Sequence, residues 1–355
     1  MNHPAEALAG RKVLVTGATG FIGTHLCHAL ATIGAEVHAI TRTQGTYSLP
    51  GLTWHQVDLT SAEATEACLS RVRAEIVFEL CSHAQGERDL ALVAATFRGE
   101  LLSTINVLTA LAKVGCARAV LAGSMEEPRP GEAPVSPYAA AKAASRLYVD
   151  LFHREYKVPV VMPRIFMTYG PGQSAKKFVA YCTRAMLAGE AVHIRTPHRS
   201  TDWIFVHDVV DGLIRTAVAP GIEGRLLDIG TGRLTTLHDI ARTLRDLTCS
   251  TSDIHADAAA AAGDAIGRAA DVDTARACIG WTAATPLVNG LTETVRHELG
   301  RLNQESMDGK SAAAVGTRAK KSPTRSAPRL ARPAMILGSL IPLLTDPLLP
   351  LVLSV

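Results

Sequence analysis

The sequence predicts an α/β fold with a doubly wound parallel sheet and a smaller C-terminal lobe. Short apolar runs alternate with amphipathic helical stretches through the first half of the chain, which is typical of a parallel sheet covered by helices on both faces. A glycine-rich loop joins the first of these runs to the first helix. With 355 residues, the chain is long enough for one large domain and an additional lobe.

Strands of the main sheet are predicted from six short apolar runs. They are Lys12–Thr16, Ala35–Ile40, Thr53–Val57, Glu75–Leu80, Ala117–Ala122 and Val158–Met162. Helical spacing predicts helices over Thr24–Ile33, Leu90–Val114, Ser136–Tyr156, Phe178–Leu187, His207–Val218 and Thr236–Leu247. The turn signal Tyr-Gly-Pro-Gly at 169–172 marks where the alternation loosens, and a further short strand, Arg225–Ile229, falls in the looser part. The smaller lobe is therefore expected after this turn.

Composition and charge exclude several classes of protein. Seven basic residues and no acid lie between Lys310 and Arg332, and Asp346 is the only charged residue beyond them. Residues 1–309 therefore carry a net charge of −3, which argues against a nucleic-acid partner. The seven cysteines form no C-x-x-C pair, and the thirteen histidines form no metal-ligand pattern, so we expect free thiols and no metal site. Residues 1–10 lack an apolar signal core, and a cytoplasmic location is expected.

The glycine-rich loop between Val15 and Gly23 predicts a Rossmann-type site for a nicotinamide dinucleotide. Glycines let the backbone turn tightly and approach a pyrophosphate closely, and the helix that follows adds unpaired N–H groups and the positive end of its dipole. The strand before the loop and the helix after it make the pattern specific. The loop residues predicted to bind the cofactor are Gly17, Thr19, Gly20, Phe21, Ile22 and Gly23.

The spacing G-x-x-G-x-x-G of this loop, in the string T-G-A-T-G-F-I-G, resembles that of the extended short-chain dehydrogenase/reductase family, also called the NAD-dependent epimerase/dehydratase family. The resemblance extends from about Lys12 to Leu299. It implies a homodimer formed through the long helices near 90–114 and 136–156. It also implies an adenine contact at Asp58-Leu59, for which a turn or helix-capping aspartate is the alternative.

The end of the second predicted strand bears on the choice of cofactor. An acid at this point would accept hydrogen bonds from the adenosine ribose and favour NAD. The sequence has Thr41-Arg42 instead, and an arginine can pair with a 2′-phosphate. NADP(H) is therefore favoured and NAD(H) is the alternative, with Arg42 as a solvated loop residue in that case.

Three residues are predicted to be catalytic. Tyr138 and Lys142 are four residues apart on a predicted helix, so their side chains share a face, and a lysine ammonium near the phenol lowers the tyrosine pKa. The tyrosine can then exchange a proton with a carbonyl or alcohol oxygen. Ser124, which follows the fifth strand, resembles the family's catalytic serine or threonine, which hydrogen-bonds the reacting oxygen.

The sequence departs from the family pattern near this site. In the family's sugar-nucleotide 4,6-dehydratases an Asp-Glu pair follows the catalytic threonine, but here Met125 precedes Glu126, so elimination of water is disfavoured. Glu126 is predicted either to position a substrate or to be a solvated loop residue. Glu79-Leu80-Cys81-Ser82 replaces the common His-Leu-Ala-Ala string, and Glu100 replaces an asparagine common in the long helix.

Positively charged residues in the C-terminal half predict an anionic ligand. Lys177 follows the segment that bounds the substrate pocket in the family, and Arg199 precedes a stretch resembling the family's R-D-aromatic-x-x-V-x-D motif at a shifted position. Arg268 resembles an arginine that meets a nucleotide-sugar diphosphate, for which its forked donors are suited. For each of the three, a surface ion pair is the alternative.

These observations together predict an NADPH-dependent ketoreductase for a nucleotide-linked 4-keto-6-deoxy sugar. The alternatives are an epimerase with tightly held NAD, less favourably a dehydratase, and a dinucleotide-sensing regulator without catalysis. The domains are predicted at 1–169 for the dinucleotide-binding domain, 170–302 for a mainly substrate-binding lobe, and 303–355 for a disordered basic linker with an apolar tail. The tail carries Asp346 and three prolines, so membrane contact is possible but disfavoured.

Overall fold

The computed structural model describes residues 4–43, 47–82, 86–257 and 267–318. Its strands are β1 (Lys12–Val15), β2 (Glu36–Thr41), β3 (Leu52–Gln56), β4 (Ile76–Glu79), β5 (Arg118–Leu121), β6 (Gly123–Ser124), β7 (Val160–Ile165), β8 (Met167–Tyr169), β9 (Val192–Ile194), β10 (Ser200–Phe205), β11 (Leu226–Ile229), β12 (Leu234–Thr236) and β13 (Ile254–Ala256). Its helices are α1 (Phe21–Ile33), α2 (Ala62–Val72), α3 (Leu92–Thr96), α4 (Ser103–Val114), α5 (Pro137–Arg154), α6 (Phe178–Leu187), α7 (Val206–Val218), α8 (Leu237–Leu247), α9 (Val272–Ile279) and α10 (Leu287–Arg318).

The main sheet is parallel and has the strand order β11-β7-β5-β4-β1-β2-β3, with the short β6 paired to β7. The chain builds outward from β1 in one direction through β2 and β3, and in the other through β4. Val13 of β1 accordingly lies between Val37 of β2 and Ile76 of β4. The predicted doubly wound fold is confirmed, and its strand order reverses beside β1, where such sheets place their ligands.

Both faces of the sheet are buried, as the near-continuous apolar strands require. Because side chains alternate along a strand, Val13 and Val15 pack on one face with α1 and α7, whereas Leu14 packs on the other with α2, α4 and α5. The strands are therefore covered on both sides, and only their carboxyl ends remain open for a ligand.

The smaller lobe has its own core, formed by α6, α8, the first part of α10, and two small sheets with strand orders β12-β10-β8 and β13-β9. Three elements that follow residue 170 nevertheless belong to the main sheet or to the helices that cover it, and one of them is α9, which packs against β11. Strand β11 pairs with β7, and α7 packs against α1 and β5. The predicted boundary at 169/170 stays a prediction, and the chain returns once to the main sheet beyond it.

Two predicted segments differ in the structure. The long helix predicted over Leu90–Val114 begins at Leu92 and contains a π-helical turn at Phe97–Leu102 between α3 and α4. Residues 303–318, predicted to be a disordered linker, continue helix α10, because this stretch is rich in alanine and other good helix formers and extends a packed helix. Residues 319–355, which include the predicted apolar tail, lie outside the described residues.

Three further findings concern thiols, membrane-spanning helices and metal ligands. The seven cysteines are free, as the absence of a pairing pattern predicts. Among the residues that the structure describes, no helix combines the length and the apolarity that crossing a bilayer would need. No cluster of potential metal ligands occurs in the same described ranges.

Candidate active site

The glycine loop lies where β1 ends and α1 begins, beside the carboxyl end of β4. Gly17 has a φ of +64°, and a Cβ there would lie 2.6 Å from the carbonyl oxygen of Leu80. At Gly23, a Cβ would come within 2.1 Å of the Gly17 carbonyl oxygen. The loop therefore packs so closely against the end of β4 and against its own helix that only glycine fits at these two positions.

This loop leaves the first turn of α1 open to an anion. Gly20 is the N-cap of the helix and has no side chain to accept the free N–H groups of that turn. The Thr16 hydroxyl accepts hydrogen bonds from the backbone of Leu80 and Cys81, both at 3.1 Å, and so joins the ends of β1 and β4. The backbone thus forms a cradle that fits a dinucleotide pyrophosphate.

Ser124 is held in a tight turn at the end of β6. Its backbone N–H donates to Glu127 Oε1 at 2.8 Å, and its hydroxyl accepts from the Glu126 N–H at 3.2 Å. Glu127 is buried, and burial raises the pKa of its carboxyl. This buried clamp was not predicted from the sequence, although it fixes the direction of the Ser124 side chain.

Tyr138 and Lys142 are positioned by the start of α5. The Ser136 side chain caps the helix by accepting from the Ala139 N–H at 3.1 Å, and Pro137 occupies the first helical position. The Lys142 Nζ atom lies 5.9 Å from the centre of the Tyr138 ring. Burial raises the pKa of Tyr138, whereas the Lys142 ammonium and the Ser124 hydroxyl lower it.

Lys142 is buried in a network that the sequence does not reveal. Its ammonium donates to the Ala122 carbonyl oxygen at 2.8 Å and forms an ion pair with Glu100 Oε1 at 2.6 Å. The second oxygen of Glu100 accepts from the Ser82 hydroxyl at 3.0 Å. Glu79 lies in the same buried cluster, and burial raises the pKa of its carboxyl to about 8. Glu79 and Glu100, which both depart from the family pattern, thus lie in one buried cluster behind Tyr138.

A cavity of about 350 Å³ opens where these elements meet. The glycine loop, the Ser124 turn and α5 form one side, and β8 and the start of α6 form the other. It brings together ten of the predicted site residues. They are Gly17, Gly20, Phe21, Ile22, Gly23, Ser124, Glu126, Tyr138, Lys142 and Lys177.

The charged residues at the far end of the cavity are Glu126 and Lys177. Burial raises the pKa of Glu126, and the positive charges of Arg199 and Lys177 oppose that shift. Arg199 thus lies within electrostatic reach of Glu126, although it does not line the cavity wall. Arg268 is also outside the wall, where its guanidinium donates to the Glu127 carbonyl oxygen at 3.2 Å.

The residues predicted to bind the adenosine half lie beyond the cavity wall. Hydrogen bonds from Thr60 lower the pKa of Asp58, and the charge of Arg42, which is exposed just after β2, lowers it further. Asp58 accepts from the Thr60 N–H and hydroxyl, at 3.0 and 2.8 Å, in a local turn. Leu59 is buried, and Thr19 also lies outside the wall.

The two aspartates of the motif after Arg199 serve the framework. Asp202 is fully buried and accepts four hydrogen bonds, from the Thr231 N–H and hydroxyl and the N–H groups of Gly232 and Ala270. Asp208 accepts from the backbone of residues 284 and 285. Their carboxylates tie β10 and α7 to the loops around them, so the motif is structural here.

Comparison with known proteins agrees with this architecture. The sequence profile of the NAD dependent epimerase/dehydratase family matches residues 13–230. The chain belongs to this family. A UDP-glucose 4-epimerase of Mycolicibacterium smegmatis is 25% identical over 80% of this chain and 97% of its own length.

Solved structures give the same result. A UDP-glucose 4-epimerase of Thermotoga maritima, solved with UDP-glucose, has a TM-score of 0.75 and 26% identity, covering 82% of this chain and 99% of that one. The protein MoeE5, solved with UDP-glucose and NAD, has a TM-score of 0.73 and 29% identity over the same shares of the two chains. The expected family and fold are therefore confirmed.

Proposed function

We propose that the chain is an oxidoreductase that transfers hydride between a nicotinamide dinucleotide and a carbon of a nucleotide-linked sugar, with reduction of a 4-keto-6-deoxy sugar as its reaction. One observation carries the proposal: Ser124, Tyr138 and Lys142 line the same cavity as the glycine loop. A carbonyl between them would contact a proton donor, a hydrogen-bond donor and the dinucleotide site at once. The dinucleotide supplies or accepts the hydride when it is bound.

The protein's own residues handle the proton in this reaction. As the carbonyl carbon is reduced, Tyr138 gives its hydroxyl proton to the oxygen that becomes an alcohol, and Ser124 donates a hydrogen bond to the same oxygen. Lys142 stabilises the phenolate left behind, because its ammonium lowers the pKa of Tyr138. Leu80 and Ala122 add apolar lining to the same cavity.

The substrate class rests on charge and on the relatives. The relatives described above are named for UDP-glucose or were solved with it. Lys177 in the cavity, with Arg199 near it, offers positive charge to a diphosphate, and Arg268 is the third candidate. Glu126 is the acceptor proposed for sugar hydroxyl groups, since its carboxylate lies in the same cavity.

NADP(H) is the proposed cofactor, with NAD(H) as the alternative. Arg42 is exposed at the end of β2, where a 2′-phosphate would come close, and no acidic side chain occupies positions 41–43. NAD is the dinucleotide in the MoeE5 structure, so a preference for NADP(H) would separate this chain from that relative. The seven free cysteines fit the proposed cytoplasmic setting.

Epimerisation is the second candidate function, because the M. smegmatis and T. maritima relatives are named as epimerases. An epimerase oxidises and then reduces one carbon, so it retains its dinucleotide through the cycle. A dehydratase is disfavoured, since Met125 cannot exchange a proton. Thr201 instead donates a weak hydrogen bond to the Met125 sulfur at 3.7 Å.

Purified protein distinguishes the two candidates. Its extracted dinucleotide is measured first, and then nucleotide-linked keto sugars are mixed with NADPH or NADH and followed by loss of reduced cofactor. The reductase is expected to be purified largely empty and to consume NADPH in proportion to alcohol formed. Stoichiometric bound NAD with epimerisation of a nucleotide sugar would instead establish the epimerase. A Tyr138→Phe variant should lose at least about 100-fold in either activity, and retention of full activity would refute a catalytic role.

A further inference from the structure

Behind the proposed catalytic tyrosine, two carboxyl groups and one ammonium are enclosed together. Lys142 and Glu100 are 3% and 0% exposed, and their 2.6 Å ion pair is therefore shielded from solvent. Glu79 is 1% exposed, and in the described part of the chain its Oε1 atom has no hydrogen-bond partner. Two buried carboxylates beside one ammonium would leave an excess negative charge, which the protein interior strongly disfavours.

Glu100 is the carboxyl that makes contact with the lysine. The π-helical turn at Phe97–Leu102 projects it between α5 and the end of β4, and the Ser82 hydroxyl fixes its other oxygen. Lys142 is then held at two points, Glu100 on one side and the Ala122 carbonyl oxygen on the other. The ammonium consequently has little freedom to move relative to Tyr138.

We propose that Glu100 is a positioning residue for the reaction: its carboxylate fixes the Lys142 ammonium behind Tyr138 and offsets part of the charge with which that ammonium acts on the phenol. The inference rests on the proposed function, in which Tyr138 is the proton donor. A reductase needs this phenol protonated. By weakening the pull of Lys142, Glu100 keeps Tyr138 protonated to higher pH and widens the pH range in which it serves as an acid.

The charges around the phenol support the proposed direction of the effect, in which Glu100 keeps Tyr138 protonated to higher pH. The Lys142 ammonium lowers the pKa of Tyr138, and the Glu100 carboxylate raises it. With its raised pKa, Glu79 is mostly protonated at neutral pH and contributes little charge there. Among the described residues, the ionisable groups that interact electrostatically with Tyr138, Lys142 or Glu79 from the surrounding elements include Glu79, Cys81, Glu100, Glu126 and Glu127.

Glu79 is the second carboxyl of the cluster and responds to a change at Glu100. The Glu100 charge raises the pKa of Glu79, whereas Lys142 lowers it. Because the pKa of Glu79 is about 8 and that of Tyr138 is raised above its usual value of 10, Glu79 is already ionised in the alkaline range where Tyr138 loses its proton, and its negative charge remains when Glu100 is replaced by glutamine. The effect on Tyr138 should accordingly be larger in the double variant Glu79→Gln/Glu100→Gln than in Glu100→Gln.

The test is the pH dependence of kcat/KM for reduction in Glu100→Gln, Glu100→Asp and the double variant. The alkaline limb, where Tyr138 loses its proton, should move to lower pH by on the order of one unit in Glu100→Gln and further in the double variant. Glu100→Asp keeps the charge at a shorter reach, so its limb should stay near that of the wild type while kcat falls. KM should change little, since Glu100 does not line the cavity.

Glu298→Gln is the matched control, because it also removes a buried carboxylate from an ion pair, in this case with Arg184 in the smaller lobe. The proposal would be overturned if the alkaline limb of kcat/KM in Glu100→Gln lies at the same pH as in the wild type. It would also be overturned if this limb moves no further than it does in Glu298→Gln. Thermal unfolding shows whether Glu100→Gln folds. If it does not, Glu100→Asp provides the test. An alkaline limb in Glu100→Asp that moves to lower pH by on the order of one unit, although the negative charge is kept, would equally overturn the proposal.

A measurement without substrate separates this proposal from the proposed function. Tyrosinate absorbance of each variant is titrated against the same variant carrying Tyr138→Phe, which isolates the Tyr138 phenol. A lower Tyr138 pKa in Glu100→Gln supports the positioning role even if no keto sugar is reduced, and then only the proposed function fails. An unchanged Tyr138 pKa in an active enzyme overturns the positioning role alone.

Discussion

At the scale of single residues, burial changes the acid–base chemistry of Glu79. Its pKa rises from 4.5 to about 8, so between these values the folded protein holds a proton that the unfolded chain has lost. Unfolding in this pH range releases that proton, so a rise in pH favours the unfolded state. The free energy of unfolding should fall between about pH 5 and pH 8, by at most ~1.4 kcal/mol per pH unit, and this fall should be reduced in Glu79→Gln.

Urea unfolding at several pH values measures this slope. Glu298→Gln is the opposite case, because hydrogen bonds from Arg184 and Arg301 lower the pKa of Glu298 despite its burial. The stabilising contribution of the Glu298 carboxylate is present above the usual carboxyl pKa and is lost as pH falls. Above about pH 5, the free energy of unfolding of Glu298→Gln should therefore change with pH as steeply as that of the wild type. Equal slopes in wild type and Glu79→Gln would mean that Glu79 is ionised in the folded protein.

The second prediction at this scale concerns Arg42 and the preference for NADP(H) over NAD(H). Arg42→Glu should weaken NADPH binding by roughly 10- to 100-fold, the effect of losing a charge-assisted contact to the 2′-phosphate, and should change NADH binding much less. Fluorescence titration with each reduced dinucleotide measures both constants. Arg276→Glu makes the same charge change on exposed α9 and should leave both unaltered. An equal loss for NADPH and NADH would contradict the preference for NADP(H).

Site residues differ in how far the sequence could predict them. Tyr138 and Lys142 are four residues apart on one helix, so their shared placement in the cavity follows from local geometry. Glu79 and Glu100 come from separate elements, and a glutamate in sequence is ordinarily a solvated residue. Only the fold shows that both carboxyl groups lie near Lys142 and are buried. The sequence shows that these two glutamates differ from the family pattern, but it does not show what they do.

At the scale of elements, the glycine loop and α1 form one unit whose geometry depends on Gly23. An alanine there would place its Cβ 2.1 Å from the Gly17 carbonyl oxygen, so the loop must move away from the helix. We expect Gly23→Ala to lower the free energy of unfolding by about 1–3 kcal/mol and to weaken dinucleotide binding more than tenfold, measured by chemical unfolding and dinucleotide titration.

Gly300→Ala is the matched control for this element. Gly300 lies within α10, where a Cβ would meet nothing within 4 Å. The same change should therefore be neutral or stabilising by about 0.5–1 kcal/mol, because alanine favours helix, and it should not affect dinucleotide binding. Normal binding by Gly23→Ala would show that the loop tolerates the displacement.

Among the elements that the sequence did not predict, four short strands share a cause. Strands β8, β9, β12 and β13 have three residues each, too few for a period of two to be recognised, and they exist because tertiary packing pairs them. The π-helical turn between α3 and α4 is likewise invisible in the apolar spacing. Several longer elements, such as Phe178–Leu187, were predicted because their own patterns specify them, whereas α2, β10 and α10 were not predicted.

At the scale of the whole molecule, one face remains apolar and exposed. Leu90, Val93 and Phe97, which lie at and beside α3, are 85%, 48% and 50% exposed, and Leu147 and Leu151 on α5 are 71% and 41% exposed. Helix α3 packs against α5, so these side chains belong to one surface. An apolar surface of this kind is ordinarily covered by a partner, and the family resemblance implies a second copy of the chain.

The proposed homodimer is therefore tested on this face. Leu147→Glu and Leu151→Glu together would place two carboxylates in an apolar interface without partners, so the dimer should dissociate at micromolar concentration. Sedimentation velocity of the full chain measures its mass. Val288→Glu is the control, because Val288 is also apolar and about half exposed, but lies on α10. The wild type and the control should sediment as dimers and the double variant as a monomer. A monomeric wild type would refute the dimer. A double variant that stays dimeric would place the interface on another face.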